Sequence, residues 1–253
     1  MGFLNEKVAI VTGAGQGLGF EITKAMAEEG AKVILIGRTL SKLENAISTI
    51  GKDGLYAYRM DCGKEEDWKN LITYIKENFG EIDILVNNCS IVPGKDILNM
   101  DYDLYRQVIN CNLDSVFLGM KYGYEVMKKG CYSTMVNVNS LAGIIGGPGS
   151  GNDAAYSASK GGARLLTKHA SYVFAKDCIR VFSFHPGGIN TPMREAYIKD
   201  HPEAAASAAL RSPLPPHCSE PADLAQTIVY LTSPAAKGIT GSEIIYDFGQ
   251  VSI

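Results

Sequence analysis

Seven short runs rich in Val and Ile, at residues 8–12, 33–37, 55–61, 82–88, 134–140, 179–185 and 242–248, alternate with longer stretches whose apolar residues recur at helical spacing. Strand, helix, strand, helix over the whole chain implies a parallel sheet with helices on both faces. The strand-like runs lack polar alternation, as burial on both faces requires. Helices are expected over 18–29, with Ile22, Ala25 and Met26 inward and Gly30 as C-cap, and over 41–50, opened by a capping box from Ser41 to Glu44. Others are expected over 65–79, carrying Trp68, Leu71, Ile72 and Ile75, and over 101–129 and 154–176. The fold class is therefore α/β, a doubly wound parallel sheet of about seven strands. The break in this regularity is 186–221, which holds seven of the ten prolines. A stretch that long usually serves as a lid or binding segment, and a substrate-side lid is expected at about 190–216.

Length and charge narrow the class. The 253 residues allow one large domain or two small ones, and no linker divides them, so residues 1–253 read as a single domain. Lys and Arg number 24 against 27 Asp and Glu, for a net charge of −3 with no basic run, which argues against a nucleic-acid partner. No apolar run approaches the length of a membrane span, and the mixed start at residues 1–7 is unlike a signal peptide. The cysteines, Cys62, Cys89, Cys111, Cys131, Cys178 and Cys218, form no C-x-x-C pair. No metal site is expected, and reduced thiols in a cytoplasmic protein are the simplest reading.

The 27 glycines exceed the average share without a collagen-like period, so the surplus is local. Gly13, Gly15, Gly17 and Gly19 crowd the turn between the first strand and the first helix. Glycine there lets the backbone approach a pyrophosphate, which the following helix N-terminus attracts. The pattern is T-G-x-x-x-G-x-G, from Thr12 to Gly19, rather than G-x-G-x-x-G, because Leu18 and Phe20 stand where that fingerprint needs glycine. The second strand ends Gly37-Arg38-Thr39, where an NAD site usually places a carboxylate for the ribose 2′-OH. The guanidinium of Arg38 suits a 2′-phosphate, so the expected cofactor is NADP(H), with NAD(H) the alternative. A second basic residue just before Gly17 would have strengthened this reading, but Gln16 occupies that position.

Tyr156 and Lys160 lie four residues apart and share one helix face. A phenol beside an ammonium is a candidate proton donor and acceptor for an alcohol, because the cation favours the phenolate. Together with Thr12–Gly19, Asp61, Asn87-Asn88, Asn112, Ser140, and Pro186-Gly187 followed by Thr191, this pair makes the chain resemble the short-chain dehydrogenase/reductase family over essentially its full length. The resemblance implies a Rossmann-type sheet. It implies that Tyr156 is the general acid/base, that Ser140 hydrogen-bonds the reacting oxygen, and that Lys160 binds the nicotinamide ribose and lowers the Tyr156 pKa. Asn112 would hold a water that relays protons from Lys160. Gly13, Gln16, Gly17, Leu18, Gly19 and Arg38 would hold the phosphates and adenosine end. Asp61 and the Cys62 backbone would sit at the adenine, Asn88 along the groove, and Ile189 and Thr191 at the carboxamide. A homodimer or homotetramer paired through the two long helices is also implied.

Two departures stand out. The family's N-N-A-G reads Asn87-Asn88-Cys89-Ser90, and the stretch from Ile144 to Asp153 is slightly long. Several segments, Glu66-Asp67-Trp68, Ser115 to Gly119, His185 to Met193 and Gly241 to Glu243, look most like bacterial 3β/17β-hydroxysteroid dehydrogenases. The expected substrate is a hydroxysteroid or bile acid in an apolar cleft lined by Ile91, Val92, Ile144, Ile145, Met193, Tyr197 and Leu210. The alternative is a 3-oxoacyl thioester or small ketone, met by Arg194, Lys199 and Arg211 at the cleft mouth. A non-catalytic cofactor-sensing protein is the reading from another class, and turnover surviving Tyr156→Phe would favour it.

Overall fold

The computed structural model describes residues 2–146, 153–190, 199 and 210–252. One seven-stranded sheet organises them: β1 (Val8–Thr12), β2 (Lys32–Gly37), β3 (Leu55–Arg59), β4 (Ile84–Asn87), β5 (Thr134–Val138), β6 (Arg180–Pro186) and β7 (Glu243–Tyr246). The order is β3-β2-β1-β4-β5-β6-β7 and every pairing is parallel. The expected doubly wound α/β sheet is therefore what forms.

Both faces are covered because successive strand residues point to opposite sides. Ala9 and Val11 of β1 join one core with Ile22 and Met26 of α1 (Gly17–Glu28), Leu43 of α2 (Leu40–Ile50) and Leu224 and Ile228 near the chain end. Val8 and Ile10 join the other core, with Trp68, Leu71 and Ile75 of α3 (Glu65–Asn78). β1, β4, β5 and β6 are buried throughout, and the edge strands β3 and β7 are half-buried.

Two local expectations are corrected. The chain leaves β2 and enters α2 already at Leu40, so Thr39 is the N-cap, without a side-chain cap bond. Ser41 then falls inside the first turn and the Ser41–Glu44 capping box is not used. The single helix expected over 101–129 is divided into α4 (Tyr102–Ile109), a π-turn (Asn110–Asp114) and α5 (Ser115–Val126). α5 stops because Met127 turns extended and pairs beside Ile82. After α6 (Ala154–Phe174) and β6 comes a helix the sequence reading did not single out, α7 (Pro221–Thr232), with proline in its first turn. Its Leu224, Ala225, Ile228 and Val229 carry the i, i+4 signal that would have found it.

β1 is followed by β2 on one side of the sheet and bonded to β4 on the other, so the winding direction reverses between β1 and β4. In open α/β sheets ligands bind outside the carboxyl ends of the strands at this point. β3, β4 and β5 all end earlier than the apolar runs suggest; of the released residues Asp61, Asn88 and Ser140, the first two line that crevice.

Candidate active site

The crevice is a cleft of about 980 Å³, counted out to its open mouth. Its wall includes Gly13, Gln16, Leu18 and Gly19 from the first turn, Arg38 after β2, Asp61 and Cys62 after β3, and Asn88, Cys89, Ser90 and Ile91 after β4. The turn is built for close approach. Gly13 and Gly17 have φ of +67° and +58°, in the left-handed region that favours glycine. A Cβ on Gly19 would lie 2.2 Å from the Gly13 carbonyl oxygen, whereas one on Gly17 would meet nothing within 4 Å. Gly19 thus closes the turn on itself, and Gly17 leaves its outer side open.

Thr12 ties this turn to β4. Its hydroxyl accepts the Asn88 and Cys89 N–H groups at 2.8 and 3.1 Å and donates to the Val86 carbonyl at 3.3 Å. The Asn88 side chain donates to the Thr12 carbonyl at 2.9 Å. At the far end, the Arg59 Nε donates to the Arg38 carbonyl at 3.1 Å. Lys42 donates to the Gln16 side chain at 2.9 Å and lines the same wall. The second cation missing before Gly17 in sequence is therefore supplied from α2. Nothing in the linear spacing pairs position 42 with position 16. Asp61 is turned into its own loop, accepting the Gly63 N–H at 3.1 Å, while its N–H donates to Asp67.

These features fit a dinucleotide phosphate. The Gly17 side of the turn is open, a helix N-terminus faces it, and Arg38 and Lys42 stand where a 2′-phosphate would need counter-charge. The residues that would hold such a group are those of the first turn, with Arg38 and Lys42.

The second cluster adjoins the β4 end of the cleft. Asp153, buried at the N-terminus of α6, accepts the Tyr156 N–H at 2.8 Å through Oδ1 and the Gly94 N–H at 2.6 Å through Oδ2. One carboxylate thereby caps the helix and joins it to the loop after β4. Sequence reasoning missed it, although Asp three residues before the Tyr156 N–H partner is a capping signal. The Ser140 and Ser90 hydroxyls stand near enough to the Tyr156 phenol to favour its ionised form. Burial nonetheless pushes the phenol above its ordinary value, and the two serines pull the other way. Lys160 Nζ lies 5.4 Å from the Tyr156 ring centroid and donates to the Val138 carbonyl at 2.9 Å. Its burial lowers the ammonium pKa to about 8.

Asn112 sits in the π-turn. Its Oδ1 accepts the Ile91 N–H at 2.8 Å, and its Nδ2 donates to the Ile91 carbonyl at 2.9 Å and to Ser159 at 3.2 Å. The side chain is fully engaged, so a water relay through Asn112 would have to use its main chain. Behind Ser140, its carbonyl faces His185 Nδ1 at 2.9 Å, and burial keeps that imidazole's pKa low.

The structure thus brings Tyr156, Ser140, Lys160 and Asn112 to one side of the cleft. Ile189 packs against the α1-side core beyond β6 and is not on the cleft wall among the described residues. Thr191, Met193, Arg194, Tyr197 and most of the expected lid at 190–216 lie outside the described residues. Of the other expected substrate-lining residues, Ile91, Ile144 and Ile145 are half-buried, and Val92 and Leu210 are exposed.

Comparison with known proteins follows this geometry. The pattern of a family described as enoyl-(acyl carrier protein) reductase matches residues 13–250. The chain is 36% identical to the NADP-dependent (R)-specific alcohol dehydrogenase of Lentilactobacillus kefiri, covering 98% of both chains. It is 35% identical to the cyclopentanol dehydrogenase of Comamonas testosteroni over all of both. It is 30% identical to the 3-alpha-(or 20-beta)-hydroxysteroid dehydrogenase of Mycobacterium tuberculosis, covering 99% of this chain and 92% of that one. Among solved structures, a Burkholderia xenovorans protein assigned to the short-chain dehydrogenases/reductases superposes with a TM-score of 0.92 at 28% identity, covering 100% of this chain and 99% of that one.

Proposed function

The chain belongs to the short-chain dehydrogenase/reductase family, NAD(P)-dependent oxidoreductases acting on CH–OH groups, and from that premise we propose which cofactor and alcohol it uses and which residues act. The cofactor is NADP(H). Gly37 in place of a carboxylate, with Arg38 and Lys42 beside it, supports this reading, as does the cofactor named for the Lentilactobacillus relative. The substrate is an apolar secondary alcohol or ketone carried on a ring, with hydroxysteroids and bile acids at the large end of the class. Support comes from Ile91 on the cleft wall, followed by the exposed Val92, and from the alicyclic substrates named for two relatives.

One observation carries the mechanism. Ser90 lines the dinucleotide cleft and its hydroxyl approaches the Tyr156 phenol, which supports a proton-transfer group at the end of the groove. When bound, the nicotinamide accepts or gives the hydride at the carbinol carbon. Tyr156 takes the hydroxyl proton in oxidation and returns it in reduction. Ser140 and Ser90 orient the reacting oxygen through their hydroxyls. Lys160, whose Nζ lies 5.4 Å from the phenol ring centroid, holds the ribose hydroxyls. Asn112 fixes Ile91, and its main-chain carbonyl would hold a water that relays protons from Lys160 toward solvent.

A panel of cyclopentanone, a ketosteroid and an acetoacetyl thioester, each with NADPH and with NADH, tests the substrate and cofactor. The cyclic ketones with NADPH should give the highest kcat/KM. A thioester turned over about tenfold better than any cyclic ketone, a difference of 1.4 kcal/mol, would overturn the substrate class in favour of an acyl-thioester reductase. The outer faces of α5 and α6 carry exposed Phe117, Leu165 and Tyr172, which supports pairing into a homodimer or homotetramer. Sedimentation showing only monomer would contradict that. A cytoplasmic site, suited to six thiols, is part of the same proposal.

A further inference from the structure

Cys62 and Cys89 are 27 residues apart in sequence, yet their sulfurs meet at 3.2 Å. Cys62 follows β3, Cys89 follows β4, and both line the dinucleotide cleft. Each is held by stiff backbone. The Trp68 indole donates to the Cys62 carbonyl at 2.8 Å, and the Cys89 N–H donates to Thr12 Oγ1 at 3.1 Å. A Cβ on Gly13 would lie 3.4 Å from the Cys89 Cα, so Cys89 packs directly against the phosphate turn.

The two thiols are chemically unequal. Their sulfurs share a hydrogen bond that either thiol can donate. That bond and the Arg38 charge hold Cys89 below its ordinary value. The same bond and burial push Cys62 well up. Cys89 is half-exposed at the cleft and Cys62 is buried behind it. A thiolate that is reachable and has a second sulfur in contact is the arrangement of a reactive cysteine with its resolving partner.

We propose that Cys89 is an oxidation site resolved by Cys62, giving a reversible disulfide that shuts the dinucleotide cleft. The gating half rests on the reading of this cleft as the NADP(H) groove. With a peroxide as oxidant, the Cys89 thiolate attacks one oxygen, an S–O bond forms and the O–O bond breaks. Hydroxide leaves and takes up a proton. The Cys62 sulfur then attacks the sulfenic sulfur, the S–S bond forms and the S–O bond breaks. The oxygen departs as water with the Cys62 proton. Two electrons pass from the two thiols to the peroxide, and two waters form. The sulfurs must close from 3.2 Å to about 2.05 Å. That motion draws the loop after β4 toward the loop after β3, and through Thr12 it bears on the glycine turn. A dinucleotide in the groove would lie over both thiols and slow the reaction.

The test treats the full-length protein with hydrogen peroxide, with and without NADPH, and maps peptides by mass without reduction. The expected product is a Cys62–Cys89 peptide pair two hydrogens lighter than its parts, formed more slowly with NADPH present. NADPH affinity should fall at least about tenfold and return with dithiothreitol. In Cys62→Ser, Cys89 should persist as a sulfenic acid trapped by dimedone, with no cross-link. An unmodified Cys89 in oxidised wild type overturns the oxidation site. A cross-link that leaves NADPH affinity unchanged overturns the gating. If the reduced protein fails to bind NADPH, the function reading falls and takes the gating with it, while the mass of the peptide pair still decides the oxidation site.

Discussion

Lys160 shows what one residue contributes and costs. Its ammonium is buried, has the Val138 carbonyl as its hydrogen-bond partner, and titrates near 8 instead of 10.5. The folded pKa lies below the unfolded one, so the fold disfavours the charge. That penalty is fully present below pH 8 and fades as pH rises from 8 toward 10.5. Lys160→Met should therefore stabilise the ligand-free protein by about 2–3 kcal/mol at pH 7, with the gain shrinking by pH 10, while turnover collapses. Urea unfolding at the two pH values reads this, and a variant less stable than wild type at pH 7 would contradict it. Tyr156 is shifted the other way, upward through burial. Oxidation requires the phenolate, so kcat/KM for alcohol should climb through the alkaline range, while kcat/KM for ketone stays level and then declines. At the cleft's other end, Arg38→Ala should raise the NADPH KM by about 10–100-fold, the worth of a charged hydrogen bond, with little change for NADH. An unchanged NADPH KM would remove the case for the 2′-phosphate. Arg38 was readable because its place at the end of β2 is a matter of counting. Lys42 was not, because its meeting with Gln16 depends on how α2 folds back over the first turn.

Among the elements, α6 matters most for chemistry. Asp153 sets its first turn and binds the Gly94 N–H of the loop after β4, so the phenol and the cleft wall share one anchor. Asp153→Ala should cost about 1–2 kcal/mol of stability and lower kcat more than it raises the NADPH KM. Equal loss in both parameters would mean the cleft itself had moved. The helix around Tyr156 and Lys160 was legible from their four-residue spacing. The π-turn at Asn110–Asp114 was not, because its cause is a tertiary clamp. Asn112 grips the Ile91 backbone through both of its side-chain atoms, and Ile91 is 21 residues away. Strand ends were overcalled for a related reason. Asp61, Asn88 and Ser140 close the apolar runs in sequence, but in the fold all three lie beyond the strand ends.

Across the whole molecule, the alternation of buried runs and helical stretches was enough to specify the doubly wound sheet, since burial on both faces leaves few other arrangements. The reversal of winding between β1 and β4 then determines where a ligand sits, and Gly13, Gly15, Gln16, Leu18 and Gly19 of the first turn line that place. The thiol pair was invisible in sequence because two cysteines 27 positions apart are ordinary until the sheet places β3 and β4 either side of β2 and β1. What joins the dinucleotide groove to the proton-transfer group is the Ser90–Tyr156 contact. Its most direct test compares wild type with Tyr156→Phe in two assays on the same preparations, NADPH binding by fluorescence titration and NADPH-dependent reduction of a cyclic ketone. The expected result is NADPH affinity within about threefold of wild type and turnover lower by about 10²–10⁴, the usual worth of a positioned acid/base. Turnover near the wild-type rate in Tyr156→Phe would contradict it.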